Sequence, residues 1–496
     1  MSARPRLSRL LTILLALTGM AALIGGTVDG GTRAAAQPKP NVVVIMVDDM
    51  NMYALQYLDN VRSLLAEPGT TFDNSVVSYS LCCPSRATFM TGQYAHNHGV
   101  LGNEPPDGGY QKLPAAETLP VWLGRSGYDT GHVGKYLNGY GRADPTEIPP
   151  GWAEWYGSVD PSTYRMWGYT LNENGVLRTY GSPDVEDPAL YQTDVYAGKA
   201  VDYIRRKAPA DKPFFLSFAP LAPHGEGAAG GDLSQRNPRP APRHLGALDD
   251  VTLPKPPGFD EADVSDKPAA VRNRPRIGAA AQARMQNVVL KGRLESLLSV
   301  DEAVAGIVAA LRESGELANT LIVFTSDNGW MQGEHRIRNG KVVPYEESIR
   351  VPLIMRGPGL PAGRHVKTLA SNVDLVPTIL DVADATPAIT LDGRSLLPIV
   401  ADPAMIPRGI VIETGPKTNG TNWYVGLRAP RWKYIEHSTG ELELYDLQRD
   451  PYELTSMHAD PRYADTRQAL ASRLAGLRTC AGDACRQWTP VPGPRP

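Results

Sequence analysis

Cysteine is scarce in this chain of 496 residues, which contains only four. They occur as two close pairs, Cys82 with Cys83 and Cys480 with Cys485. So few cysteines exclude an extensive disulfide framework. In an oxidising compartment the second pair is expected to form a local disulfide across a short loop, whereas the adjacent cysteines of the first pair need another explanation. Zinc is a poor one, because this spacing does not match the usual zinc-ligand patterns.

An excess of either charge is also missing, since 50 Lys and Arg face 53 Asp and Glu, for a formal net charge of -3. Because the charge is balanced, nucleic acid is not an expected partner. No internal repeat or low-complexity tract stands out. The length allows one large domain plus a smaller one.

Long apolar runs are missing after the first segment, so the mature chain has no stretch approaching the roughly 20 residues needed to cross a bilayer. The first segment differs: three arginines precede an apolar run at residues 10–24, and alanines follow at residues 34–36. This layout predicts a signal peptide over residues 1–36. We expect a protein exported to the periplasm, the cell envelope or the medium, with no stable membrane insertion after cleavage. An uncleaved membrane anchor is the alternative.

Two predicted strands end in polar residues. Residues 41–47 form a nearly continuous β-branched and apolar run that ends in Asp48 and Asp49, and the run at residues 321–324 leads into Asp327 and Asn328. Such runs are typical of strands buried on both faces of an α/β sheet. Open α/β sheets place their ligand sites at the carboxyl ends of the strands. The sequence therefore offers oxygen ligands at two strand ends.

The remaining pattern predicts the domain organisation. Residues 214–218 read as another buried strand, and the apolar residues between 294 and 311 follow helical spacing. Beyond residue 403, short alternating segments predict a small antiparallel sheet with a terminal helix near residues 466–477. We expect a large α/β domain over residues 37–402 and a smaller α+β subdomain over residues 403–496.

The densest chemical signal lies at residues 80–92, SLCCPSRATFMTG. Pro84 fits the first position of a helix and Gly92 a helix stop, which puts Cys82 at or just before a helix N-terminus. The unpaired N–H groups there are receptive to an anion such as sulfate. A buried structural cysteine or a vicinal disulfide is the alternative.

The motif from Cys82 to Arg86 is similar to the Cys-x-Pro-Ser-Arg maturation motif of the formylglycine-dependent sulfatases, and Thr91-Gly92 follows it as in that family. Other matching segments, in family order over nearly the whole mature chain, are Asp48-Asp49, Gly134-Lys135, Pro223-His224, Asp327-Asn328-Gly329, Gly340-Lys341, Tyr345-Glu346, Arg350-Val351-Pro352, Leu444-Tyr445-Asp446-Leu447 and Asp450-Pro451. Residues 82–100 and 134–138 most resemble the N-acetylglucosamine-6-sulfatase branch. The resemblance implies an alkaline-phosphatase-like α/β fold, with a large mixed sheet flanked by helices and a smaller C-terminal antiparallel sheet.

The resemblance implies hydrolysis of a sulfate monoester on a sulfated amino sugar or a glycosaminoglycan fragment. A formylglycine-generating enzyme would oxidise Cys82 to an aldehyde. One hydroxyl of its hydrate would attack sulfur, and the other would later lose its proton to expel the sulfate, a step that a thiol cannot perform. Ca²⁺ would be held by residue 82 together with Asp48, Asp49, Asp327 and Asn328, whose hard oxygen donors leave magnesium open as an alternative.

The resemblance also assigns charged residues to catalysis. Lys135 and Lys341 would neutralise charge on the sulfuryl oxygens in the transition state. Arg86 would support the formylglycine and the metal ligands, unless it forms only a structural ion pair. His224 is the candidate general acid for the leaving group, because imidazole titrates near neutral pH.

Residues predicted to contact the substrate are Asn138 and His335. Many sulfatases carry a histidine two places after the lysine that corresponds to Lys135, but this chain has leucine there, followed by Asn138. Asn138 would contribute a neutral hydrogen bond. For the pair His96 and His98 we favour substrate-side or structural roles over zinc binding.

Two further functions remain open. One is hydrolysis of a phosphonate or phosphate ester, since enzymes of this superfamily accept similar tetrahedral anions. The other is an exported carbohydrate-binding protein that keeps the fold but never acquires the aldehyde.

Overall fold

The strand Asn41–Val47 explains why this fold has three layers. The computed structural model describes residues 39–227, 237–402, 408–415 and 423–495, and all seven residues of the strand are buried in it. Odd-numbered side chains from Val43 to Val47 pack in one apolar core, and even-numbered side chains from Val42 to Met46 pack in another. Because side chains alternate between the two faces of a strand, the sheet must be covered on both sides.

The strands in chain order are β1 Asn41–Val47, β2 Thr70–Phe72, β3 Ser75–Val76, β4 Asp129–Gly134, β5 Glu154–Ser158, β6 Tyr169–Glu173, β7 Val176–Tyr180, β8 Phe214–Ala219, β9 Thr320–Ser326, β10 Leu353–Arg356, β11 Arg364–Val366, β12 Ala370–Ser371, β13 Ile410–Glu413, β14 Tyr424–Arg428, β15 Trp432–His437 and β16 Leu442–Asp446. The α-helices are α1 Asp59–Val61, α2 Cys82–Thr91, α3 Ala95–His98, α4 Leu119–Arg125, α5 Gln192–Lys207, α6 Ala269–Arg272, α7 Ala279–Arg284, α8 Lys291–Glu313, α9 Glu346–Ile349, α10 Leu375–Val382, α11 Leu397–Ala401 and α12 Ala464–Leu477.

The large sheet has ten strands in the order β11-β2-β10-β9-β1-β8-β4-β5-β6-β7. Its centre, from β9 to β5, is parallel, and antiparallel strands flank this centre on both sides. β1 lies between β9 and β8, so three parallel strands end side by side at the middle of the sheet. This is the region where open α/β sheets bind ligands.

Helices cover both faces of the large sheet. Side chains of α5 and α8 belong to the core on one face, and side chains of α2, α4 and α10 belong to the core on the other. Each fully buried Val, Leu or Ile contributes about 1.5–3 kcal/mol through removal of its surface from water. The packing of α2 against the sheet fixes the position of the residues at its N-terminus.

A separate antiparallel sheet, in the order β13-β14-β15-β16, lies in the C-terminal part, where α12 packs against it. The predicted fold class is therefore confirmed, both in its large mixed sheet and in its smaller C-terminal sheet. The predicted boundary between residues 402 and 403 stays a prediction, because residues 403–407 lie outside the described part of the chain. β13 adds a strand that the sequence pattern did not identify.

The predicted signal peptide at residues 1–36 lies outside the described residues. Within the described ranges, no helix combines the length and the apolar character needed to span a membrane. The described helix at the cysteine motif begins at Cys82, so Pro84 occupies its third position and not its first. Gly92 ends this helix in the left-handed conformation, with a φ of 68°, as the sequence predicts.

Candidate active site

Carboxylates meet where β1 and β9 end. Val47 pairs with Ser326 at the last position of the two parallel strands, so the residues that follow leave the sheet side by side. The Asp49 N–H donates to Asp327 Oδ1 at 3.1 Å, and Asn328 Nδ2 donates to Asp49 Oδ1 at 2.6 Å. Asp49 has a φ of 67°, a left-handed conformation that Asp tolerates better than most residues. The structure thus brings the predicted oxygen donors together.

Cys82 is the first residue of α2 and lies within this cluster. Its Sγ is 3.5 Å from Asp48 Oδ1 and 2.7 Å from Lys341 Nζ. Burial raises the pKa of the Cys82 thiol to about 12, and the charge on Asp48 adds to this effect. An unmodified Cys82 is therefore a neutral thiol at pH 7, which is a poor nucleophile. Its position at a helix N-terminus is favourable for a bound anion.

Three buried cations surround the carboxylates. Arg86 Nε donates to Asp327 Oδ2 at 2.8 Å, and Arg86 Nη2 donates to Asp48 Oδ2 at 3.3 Å. Lys135 forms an ion pair with Asp48, and Lys341 forms one with Asp49. Within this group of six side chains the negative and positive charges cancel. A bound divalent cation would leave the site positive and therefore attractive to an anion.

The donor set fits a hard divalent cation. Ligand atoms of Asp48, Asp49, Cys82 and His224 lie within 4.8 Å of one another. Among the described residues, Asp49 Oδ2 and Asn328 Oδ1 have no hydrogen-bond partner, and burying them is costly unless another group satisfies them. Burial alone would raise the pKa of Asp48, but the surrounding positive charges, led by that of Lys135, lower it well below its usual range. Asp48 is thus ionised at neutral pH, as a metal ligand would be.

His224 follows β8, on the other side of β1. Its Nε2 lies 3.7 Å from Asp49 Oδ2, and its Nδ1 lies 2.7 Å from the carbonyl oxygen of Gly225. Since that carbonyl can only accept, Nδ1 carries a hydrogen and Nε2 is the nitrogen that faces the cluster. Burial lowers the pKa of His224 to about 4.

Asn138 is linked to the cluster by a tyrosine that the sequence did not indicate. Asn138 Nδ2 donates to the Tyr164 hydroxyl at 2.6 Å, while Asn138 Oδ1 is buried with no hydrogen-bond partner in the described part of the chain. The Tyr164 ring lies 4.9 Å from Lys135 Nζ and 5.1 Å from the His224 ring. Tyr164 therefore connects the two predicted catalytic side chains with the predicted substrate contact.

Arg293 on α8 is a second residue that the sequence analysis missed. Its guanidinium donates to the carbonyl oxygens of Asp49 and Pro223, the latter at 3.1 Å, and lies 4.6 Å from the centre of the Trp330 ring. It thus ties the ends of β1 and β8 together from behind the cluster. A charged residue next to the apolar positions of a buried helix was the only available signal.

His335 occupies a different environment. The side chain is fully buried, its Nδ1 lies 2.7 Å from Glu261 Oε2, and its ring lies 4.2 Å from that of Tyr345. These contacts separate it from the group around Cys82. Its predicted contact with the substrate stays a prediction, and its burial favours a structural or metal-binding role.

The histidine pair makes separate contacts near the C-terminal disulfide. His98 Nε2 lies 3.1 Å from Thr88 Oγ1, whereas His96 contacts the Glu413 carboxylate at 3.0 Å and the Cys480 carbonyl oxygen at 3.0 Å. Neither histidine belongs to a group of metal-ligating side chains among the described residues. Cys480 forms a disulfide with Cys485, with the two Cα atoms 5.1 Å apart.

Comparisons with known proteins extend over most of the chain. A family model described as sulfatase matches residues 40–385, and one described as N-sulphoglucosamine sulphohydrolase, C-terminal, matches residues 333–480. The chain is 35% identical to an arylsulfatase of Volvox carteri, with 96% of this chain and 79% of that protein covered. It is 32% identical to the N-acetylglucosamine-6-sulfatase of Homo sapiens, with 96% and 89% covered.

A solved structure is similar as well. It is that of a protein in complex with its substrate D-glucosamine-2-N,6-O-disulfate, and it has a TM-score of 0.74 and 25% sequence identity to this chain. The similarity covers 88% of this chain and 97% of that protein.

Proposed function

This chain belongs to the sulfatase family, and from this premise we propose that it removes the sulfate group from a sulfated amino sugar, using formylglycine at residue 82 and calcium. It is a sulfuric ester hydrolase. The observation that carries the finer proposal is the position of Cys82, at the N-terminus of α2 and in contact with both Asp48 and Lys341. An anion there would meet a helix N-terminus and two lysines.

Asp48, Asp49, Asp327 and Asn328 would hold the calcium ion. When present, calcium polarises a sulfate oxygen and favours ionisation of the nucleophile, and the formylglycine hydrate supplies the attacking oxygen. Arg86 positions two of these ligands, because it bonds to both Asp48 and Asp327. The buried oxygens Asp49 Oδ2 and Asn328 Oδ1 support this assignment, since neither has a hydrogen-bond partner among the described residues.

Lys135 and Lys341 would stabilise the negative charge that builds up on the sulfuryl oxygens. Both side chains are nearly inaccessible to solvent, so their charges act in a medium of low dielectric constant. His224 would give a proton to the leaving oxygen from Nε2, because its Nδ1 hydrogen is engaged by Gly225. The negative charge of a bound ester would favour the protonated imidazole.

The substrate class rests on the similar proteins. One is named N-acetylglucosamine-6-sulfatase, and another was solved with D-glucosamine-2-N,6-O-disulfate as its substrate. We therefore expect the highest kcat/KM on glucosamine or N-acetylglucosamine 6-sulfate within a panel of sulfated monosaccharides and glycosaminoglycan fragments. Preference for a sulfated sugar without an amino group would overturn the substrate assignment, while leaving the reaction type unchanged.

A matched pair of esters tests the reaction type. The sulfate and phosphate esters of the same alcohol differ in charge but present similar tetrahedral groups. The proposal predicts a higher kcat/KM for the sulfate ester. Faster turnover of the phosphate ester would favour the phosphonate or phosphate ester hydrolase, and binding of sulfated sugars without turnover of either ester would favour a carbohydrate-binding protein.

We also propose that the chain is exported and matured by a formylglycine-generating enzyme. The support is the leader-like pattern at residues 1–36 and the Cys82 to Arg86 motif. The Cys480–Cys485 disulfide suits an oxidising compartment. Detection of the mature chain, cut after residue 36, in the culture medium or the periplasm would test the first part.

A further inference from the structure

A second group of metal-ligating side chains lies apart from the one around Cys82. A ring nitrogen of His335 and carboxylate oxygens of Glu347 and Glu453 lie within 4.8 Å of one another. The three residues come from the loop after β9, from α9, and from the segment between β16 and α12. This convergence of distant segments distinguishes the group from neighbouring acids on one helix face.

The histidine is oriented as a metal ligand would be. Its Nδ1 donates to Glu261 Oε2 at 2.7 Å, while its Nε2 is buried and has no hydrogen-bond partner within the described residues. Metal-binding histidines commonly donate one ring N–H to a carboxylate, which fixes the tautomer and leaves a lone pair on the other nitrogen. Glu261 would be that supporting carboxylate.

Only one of the two carboxyl groups pairs with a lysine or arginine among the described side chains. Glu453 forms an ion pair with Lys433, which also pairs with Glu346. Glu347 forms no ion pair with a lysine or arginine within the described ranges, and its Oε2 is buried without a hydrogen-bond partner. A buried carboxyl oxygen without a partner is costly, and a bound cation would remove that cost.

The ion can reach the site from a cavity. Glu347 lines a cavity of about 550 Å³ together with Glu334 and Gln332. An entry path on one side and a supporting carboxylate on the other are what a binding site for a metal requires. A water molecule from the cavity can complete the coordination.

We propose that His335, Glu347 and Glu453 form a second metal site, which binds Zn²⁺. One imidazole nitrogen and two carboxylate oxygens, with water, form a ligand set that zinc accepts, whereas calcium and magnesium prefer oxygen donors alone. The site is independent of the proposed catalytic calcium, because the two groups share no residue. Zinc there would fasten the loop that leads to Lys341 onto α9 and the C-terminal part.

The test is metal analysis of the mature protein, purified without a polyhistidine tag. After chelation and desalting, the wild type is titrated with Zn²⁺ by calorimetry, and its bound zinc is measured by mass spectrometry. We expect one equivalent of zinc and a higher Tm in the zinc-loaded form. His335→Gln and Glu347→Gln should each lose this binding, and Glu261→Gln should weaken it by about 10–100-fold.

Two control variants separate this site from the catalytic one. Asp327→Asn, which alters the proposed calcium site, should still bind one equivalent of zinc, and so should Glu313→Gln, which changes an exposed carboxylate. Glu347→Gln is the variant expected to keep the fold even if His335→Gln does not, because glutamine has the size of glutamate and this side chain is partly exposed. The proposal is wrong if the wild type takes up no zinc, or if folded His335→Gln and Glu347→Gln variants bind it as the wild type does.

Discussion

Asp49 shows how many contacts a single residue of this site makes. Its carboxylate contacts Asn328 and Lys341, its N–H donates to Asp327, and its carbonyl oxygen accepts from Arg293. The second carboxylate oxygen lies 3.7 Å from His224 Nε2 but accepts no hydrogen bond from any residue that the structure describes. Most of the polar groups of Asp49 are therefore fixed by the chain, and one is left for a ligand.

Replacing a metal ligand tests the calcium assignment at this scale. We expect Asp327→Asn to weaken calcium binding by at least about 10-fold, because it removes one charged oxygen donor. Chelation should abolish activity of the wild type, and added calcium should restore it. The measurement is the calcium dependence of kcat/KM.

Asp301→Asn provides a control, because Asp301 is a buried carboxylate that accepts hydrogen bonds from Asn60 and Val61 and lies outside the site. Equal calcium dependence in Asp327→Asn and wild type would contradict the assignment.

The two adjacent cysteines should differ in their effect on activity. Cys82→Ala removes the proposed nucleophile, so kcat/KM should fall by on the order of 10³-fold or more. Cys83 is equally buried, but its backbone N–H bonds to Asn103 and its side chain packs in the core beneath α2. Cys83→Ala should keep most of the activity and lose a little stability. Steady-state kinetics and circular dichroism of both variants check this, and comparable losses of activity would argue against a special role of residue 82.

At the scale of secondary-structure elements, three neighbouring parallel strands and one helix build the site. β9, β1 and β8 deliver Asp327, Asp49 and His224, and α2 presents Cys82 to them. These positions follow from burial. Apolar strands lie at the centre of the sheet, covered on both faces, and the polar residues that follow them lie beyond the carboxyl ends of the strands.

A buried ion-pair group connects α9 with the C-terminal sheet. Glu346 accepts from Arg428 Nε at 2.9 Å and lies 2.8 Å from Lys433 Nζ. Burial alone would raise the pKa of Glu346, but the charges on Arg428 and Lys433 together lower it well below its usual value. A lowered pKa in the folded state means that the group contributes stability above the unfolded pKa of about 4.3, and that this contribution is lost as the pH falls below it.

Glu346→Gln should therefore lower the free energy of unfolding by about 3 kcal/mol at pH 7, because it leaves the buried guanidinium of Arg428 without its carboxylate partner. The difference from wild type should shrink as the pH falls below about 4. Denaturant unfolding at several pH values measures it. Glu313→Gln, whose pair with Arg205 is exposed, should cost no more than about 1 kcal/mol. An effect of Glu346→Gln that does not change with pH would refute the electrostatic explanation.

At the scale of the whole molecule, the sequence was sufficient to predict those elements whose position a local pattern determines. The apolar runs before Asp48 and Asp327 predicted strands, and parallel strands place such ends at one edge. Arg293, Tyr164 and Glu453 could not be predicted in this way, because they reach their partners through helix packing and long connections. Such contacts between distant segments leave no periodic signal in the sequence.

The starting point of α2 shows the limit of local rules. Pro84 predicted a helix start at its own position, but the helix begins at Cys82, because the Ser85 N–H already bonds to the carbonyl oxygen of Leu81. Helix ends predicted from sequence are commonly off by a few residues. The two-residue difference matters here, because it makes Cys82 part of the first helical turn.

The proposed reaction requires an aldehyde at residue 82. The most direct measurement is peptide mass analysis across residue 82 in active protein from a host that has the maturing enzyme, with specific activity determined on the same preparations. We expect the peptide with an aldehyde in place of the thiol to be present, and its fraction to rise in proportion to the specific activity. Fully active protein with an intact Cys82 thiol would contradict it.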